Sequence, residues 1–142
     1  MASPQFTSPK EFREVMDRTF TMMSEDPEMG PALRDADVPQ RFEFDDLDLV
    51  VNIRAARAGE EGELHWEWTD DVDWEPKVLM TMSSETANKY FQGKENVAVA
   101  IARRRIKSGG DVKAALKLIP ISKPIYQHYR DMVEADYPHL AL

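Results

Sequence analysis

Three groups of residues in this chain combine types and spacing that could support chemistry. His65 and Glu67 stand two apart in an alternating stretch, so their side chains share one face of a strand, as a general base and its orienting carboxylate would. Asp70, Asp71, Asp73 and Glu75 crowd one loop with the hard oxygen ligands that a cation needs. Arg103, Arg104 and Arg105 offer paired N–H donors for a phosphate or carboxylate headgroup. Each group lacks the partner its chemistry requires. No nucleophile or oxyanion-hole motif accompanies His65. The acidic loop has neither the glycine nor the closing glutamate of a calcium loop, and a solvated turn is the simpler reading. An arginine run on an alternating strand reads as a solvated face paired with surplus carboxylates. His65, His128 and His139 have no second histidine at i+3 or i+4 and the cysteine count is zero, so no metal site is expected. The expectation is a protein without catalysis and without a cofactor.

The elements that would position a different kind of site lie between Val78 and Ile119. Val78, Met80 and Met82 alternate with Leu79 and Thr81 as an apolar-faced strand does. Ser83 or Ser84 then caps a helix carrying Ala87, Tyr90 and Phe91 on one face, which Gly93 can end in the left-handed conformation. Asn96 starts a second short helix through Val97 and Ile101, and Arg103 to Lys107 alternate as a further strand ended by Gly109-Gly110. Asp111 caps a helix with Val112, Ala115, Leu116 and Ile119 at i, i+3, i+4 and i+7, closing at Pro120. Several apolar faces thus surround one space that holds no nucleophile, base or metal ligand. That pattern points to a cavity.

The flanks agree with a single soluble domain. Ser8-Pro9-Lys10-Glu11 marks a helix start with the spacing of a capping box, and Phe12, Val15, Met16, Thr19, Phe20 and Met23 give it one broad apolar face. Its polar side is too acidic for a membrane-surface helix. Pro27 to Pro39 reads as a connector with one helical turn at Ala32–Arg34. Leu47 to Ala55 alternates as a half-buried strand, and Gly59 to Gly62 turns it into Leu64 to Thr69, where Leu64, Trp66 and Trp68 share a face. A last helix begins near Pro124 with Ile125, Tyr129, Met132 and Val133 inward and stops before Pro138. At 142 residues the chain can bury roughly 68–70 % of its unfolded surface and needs no staple. A net charge of −8 repels phosphate backbones, so nucleic acid is not an expected partner. No basic-then-apolar leader and no apolar run long enough for a span are present, so a cytoplasmic protein without membrane insertion is expected.

The run Met80-Thr81-Met82-Ser83-Ser84-Glu85, followed by Tyr90-Phe91-Gln92-Gly93-Lys94, Ala100 to Ile106, and Gly110-Asp111-Val112-Lys113-Ala114-Ala115-Leu116, resembles the type two sterol carrier protein family. The order matched is a strand into a serine and an acid, a short helix ending in Gly-Lys, a helix with a buried alanine, a basic strand, and Gly-Asp opening an apolar helix. It covers roughly forty residues, with looser agreement back to Phe42. The resemblance implies an α/β (α+β) fold, in which a five-stranded mixed sheet is covered by helices around an apolar tunnel for sterols, acyl chains or related lipids. Four strands are evident from pattern, which places the fifth around Arg41–Phe44 or in the acidic loop. One domain over residues 1–142 is expected: an N-terminal helix and connector (1–40), the family-like core (41–120) and a helical extension (121–142). That extension and the missing peroxisomal address, the chain ending His139-Leu140-Ala141-Leu142, depart from the pattern.

Candidate cavity residues are Met80, Met82, Phe91, Val97, Ile101, Leu116 and Ile119 from the matched segment, with Trp66, Trp68 and Met132 from its neighbours. Eight methionines suit a forgiving pocket, although any single one reads first as core filler, since apolar stripes usually mean packing. The function expected is binding, transfer or presentation of an apolar ligand without catalysis. Two other readings stay open: an interaction module with a closed core, dimeric or accessory to an enzyme of apolar-substrate metabolism, and an enzyme built on His65.

Overall fold

A computed structural model of the chain describes residues 5–142. Ser8 starts α1 (Pro9–Glu25): its hydroxyl accepts from the Glu11 amide at 3.1 Å, and Pro9 stands at the first helical position, where no N–H is needed. The reciprocal half of the expected capping box is absent. The Glu11 carboxylate accepts instead from the Thr7 amide at 3.0 Å and lies 2.8 Å from His139 Nε2. The apolar face of α1 is buried as its spacing requires, with Phe12, Val15 and Met16 wholly inside. Beyond it the connector forms α2 (Met29–Ala36), longer than the single turn expected, because the Asp26 carboxylate accepts from the Glu28 and Met29 amides and restarts the helix past Pro27.

Five strands form one mixed sheet: β1 (Gln40–Phe44), β2 (Leu49–Ala55), β3 (Leu64–Glu67), β4 (Val78–Met82) and β5 (Ile106–Gly110), in the order β3-β2-β1-β4-β5. β1 runs parallel to β4 and every other neighbouring pair is antiparallel. The fifth strand is therefore Gln40–Phe44, at the sheet's centre. Register puts Phe42 beside Met80 and Val51, and Phe44 beside Met82 and Leu49, so the apolar residues of all strands share one face.

Helices α3 (Ser84–Phe91), α4 (Val97–Ala102) and α5 (Val112–Ser122) start at Ser83, Asn96 and Asp111. Each of these side chains accepts from the amide three residues on, at 3.1 Å. Gly93 takes φ +74° after α3. Then α6 (Ile125–Asp136) buries Ile125, Tyr129, Met132 and Val133, and one 3₁₀ turn, Pro138–Leu140, follows.

Three expectations are corrected. The arginine run is not on a strand: Arg103 to Arg105 form the turn after α4, with Arg104 at φ +61°, and β5 begins at Ile106. Pairing to β4 decides this, since Gly109 and Gly110 stand opposite Leu79 and Val78, inside the strand they were expected to end. A Cβ on Gly110 would collide with the Lys77 carbonyl, which explains glycine there. Next, α5 continues through Pro120 and buries Ala114, Ala115, Leu118 and Ser122, leaving Leu116 41 % exposed. Small residues let the helix approach closely, so the alanines and not the leucine face inward. Finally, the outer face of β2 is not solvated. Asn52 and Arg54 are buried: Asn52 Nδ2 donates to the Thr69 carbonyl at 2.7 Å, and Arg54 lies 4.8 Å from the Trp74 ring centre while donating to both Glu60 carboxylate oxygens at 2.7 and 2.9 Å.

Candidate ligand cavity

The inner face of the sheet and the helices over it do not close completely. A cavity of about 90 Å³ remains between them. Its floor is Phe42 and Phe44 on β1, Ile53 on β2, Met80 and Met82 on β4, and Ile106 on β5. Its roof comes from Leu33 of α2, Ala87, Tyr90 and Phe91 of α3, Val97 of α4, and Ala115, Leu118 and Ile119 of α5. Phe20 and Met23 of α1 and Leu64 of β3 also line it. Polar residues are few: Gln40, Arg54, Tyr90 and Ser122. The Ser122 hydroxyl is already bound to the Leu118 carbonyl at 2.9 Å, and burial pushes the Tyr90 hydroxyl well above the ordinary phenol range, so it stays neutral. Such a wall can exclude water and hold an apolar guest. Its one charged residue, Arg54, spends its guanidinium on the Glu60 carboxylate at the outer sheet face, so no free charge is offered to a reaction.

Of the ten residues singled out in the sequence, Met80, Met82, Phe91, Val97 and Ile119 line the cavity. The other five stand elsewhere. Trp66 and Trp68 point to the same side of the sheet but lie under α1, with Phe20 at 5.5 Å from Trp66 between ring centres and both indole N–H groups donating to Asp17 Oδ1, at 3.0 and 2.7 Å. Met132 belongs to the core through α6, Ile101 is half-buried against that core, and Leu116 faces solvent. Conversely, Phe20, Met23 and Leu33 come from the segment before Arg41. No local pattern distinguishes a helix residue that meets a void from one that meets a neighbour.

The α3 wall is held from behind by a polar cluster. Tyr129 donates to Asn88 Oδ1 at 2.8 Å, Asn88 Nδ2 and Gln92 Nε2 both donate to the Leu140 carbonyl, at 2.9 and 2.8 Å, and the Leu142 amide donates to Gln92 Oε1 at 3.1 Å. Asn88 and Gln92 are four apart, on the side of α3 turned from the cavity. Through them α6 and the residues after it back the wall without entering the space.

The groups weighed for chemistry lie away from this space. His65 is on the outer sheet face, 3.1 Å from Glu67 and 3.5 Å from Glu60. Asp73 is paired with Arg57, and the described residues contain no group of three or more His, Asp or Glu able to hold a metal ion. Arg105 pairs with Glu95 at 2.9 Å. No helix among the described residues is long and apolar enough to cross a membrane.

No protein-family model matches the chain, and no curated protein matches it in sequence. Solved structures do. Sterol carrier protein domain 2 of Helicoverpa armigera superposes with a TM-score of 0.54 at 16% identity, over 89% of this chain and 96% of its own. UbiJ-SCP2, a ubiquinone synthesis protein, gives 0.60 at 9% identity over 85% and 95%. The stereoselective inverting sec-alkylsulfatase Pisa1 from Pseudomonas sp. also gives 0.60, at 17% identity, over 75% of this chain but 16% of the sulfatase. This chain therefore spans a small part of that enzyme and nearly the whole of the other two.

Proposed function

We propose that the chain, whose described residues adopt the sterol carrier protein fold of a five-stranded mixed sheet with six α-helices, binds an apolar ligand non-covalently between sheet and helices, as a carrier or presenter, and performs no chemistry itself. The observation that carries this reading is a void with an almost wholly apolar lining, where close packing is the rule for a protein interior. The N-terminal segment and the core both supply lining residues, so the reading takes the chain as one binding domain. A void of about 90 Å³ is smaller than the ~150 Å³ that shelters a benzene ring in an engineered protein core, so a long-chain ligand enters by displacing the walls. Met23, Met80 and Met82 are the side chains able to yield, being unbranched and polarizable.

Affinity then follows chain length. Each buried methylene contributes about 0.8 kcal/mol, roughly a fourfold gain in affinity. Fluorescent-probe displacement by saturated fatty acids of increasing length should show that slope until the cavity is full, and a flat response overturns the proposal. The small volume also fits a second reading, an interaction module with a closed core that pairs with a second copy or an enzyme. Native mass spectrometry of the protein purified from cells separates them: a co-purified lipid supports the carrier, and a bare chain that also fails to take up fatty acids supports the module.

A further inference from the structure

The net charge of −8 conceals a division within the chain. Residues 77–130 contain eleven Lys and Arg against three acids, a balance of +8, whereas the remaining residues carry seven against 23, a balance of −16. The three acids of the basic segment are already engaged. Glu85 lies 3.4 Å from Lys89, Glu95 pairs with Arg105, and Asp111 caps α5. Lys94, Arg103, Arg104, Lys113 and Lys117 are exposed and form no ion pair among the described residues. They follow α3, end α4 or lie on α5, the helices that roof the cavity. Among these cations stand two of the four large apolar side chains that are most exposed, Val99 at 40 % and Leu116 at 41 %. On α5, Lys113, Leu116 and Lys117 share one outward face by helical spacing, and Ile119, one turn from Leu116, reaches the cavity.

We propose that the outer surface of α4 and α5 docks on a lipid surface bearing anionic headgroups, placing the cavity roof against the membrane from which a ligand enters. Unpaired cations around exposed Val and Leu suit the headgroup boundary, where charge meets phosphate and apolar tips reach acyl chains. The first helix suits this purpose less, since its apolar face is spent on the core and its polar face carries four acids against three bases. The rival occupant is the acidic half of a second copy. It would satisfy the lysines but not Val99 and Leu116, and a head-to-tail contact of that kind runs on into rings or filaments.

The proposal builds on the lipid-binding reading, yet it is tested separately by co-sedimentation of the full chain with vesicles. Phosphatidylcholine vesicles containing phosphatidylserine should retain the protein, phosphatidylcholine alone should not, and raised salt should release it. At roughly fivefold in partitioning per cation, K113E/K117E should lose tenfold or more. L116S should lose binding without changing the charge. Both variants should still displace a fluorescent fatty acid in solution, because neither site lines the cavity. Equal retention on both lipid compositions, unchanged retention of K113E/K117E, or salt-sensitive self-association without vesicle binding overturns the proposal. Loss of fatty-acid binding in the parent chain with vesicle docking intact would sink the carrier reading and leave this one standing.

Discussion

Single residues do more than the sequence declares where a charge is brought under a loop. Glu60, in the turn between β2 and β3, receives both guanidinium nitrogens of Arg54 and the Arg57 amide, and the Arg54 hydrogen bonds chiefly hold its carboxyl down at about 2, from an ordinary 4.5. A carboxylate lowered on folding stabilises the fold above its unfolded value, and that contribution fades as pH falls from about 4.5 toward about 2. Carboxyl ¹³C titration should accordingly find Glu60 ionised well below pH 4, with E60Q flattening the stability profile over that window. A midpoint near 4.5 in the folded protein would mean the pair does not persist. Arg54 is the one that gains most structurally, since it is buried and its guanidinium, which keeps its charge, would be costly there without a partner.

At the scale of elements, what could be read from sequence was what is decided locally. Ser8, Ser83, Asn96 and Asp111 announce helix starts because a cap bonds within three residues, and Leu64-Trp66-Trp68 announces a strand because period two is its own evidence. What escaped is set by partners distant in the chain. The start of β5 depends on pairing with β4, and the buried side of α5 depends on which residues tolerate close approach. Nor does anything in residues 9–25 say that Asp17 will receive two indole N–H groups from β3. That clasp fixes α1 over one end of the inner face and so bounds the cavity. D17A leaves both donors unpaired in a half-buried place and should cost about 1–3 kcal/mol, read as a lower urea midpoint at unchanged slope, while D17N, which keeps an acceptor, should lose less. Equal stability of D17A and the parent would show the clasp to be incidental.

Taken whole, the molecule sets a solid side against a yielding one. Phe12 and Phe20 of α1 pack on Trp66 and Trp68, edge to face in the Phe12–Trp68 and Phe20–Trp66 pairs, whereas the space beyond Phe20 is bounded by methionines and by short helices. The sheet's apolar face could be foreseen from alternation. The void could not, because it is what remains after every element has been placed. One arrangement described above gives this space a remote gauge. Leu140 and Leu142 are tied to the far side of α3 through Asn88 and Gln92, so a guest that pushes Phe91 and Tyr90 outward strains the bonds holding those last residues. Amide exchange at Leu142 should therefore speed up on loading, an optical or isotopic label there would report occupancy from outside, and exchange indifferent to a bound fatty acid would show that the tail does not sense the interior.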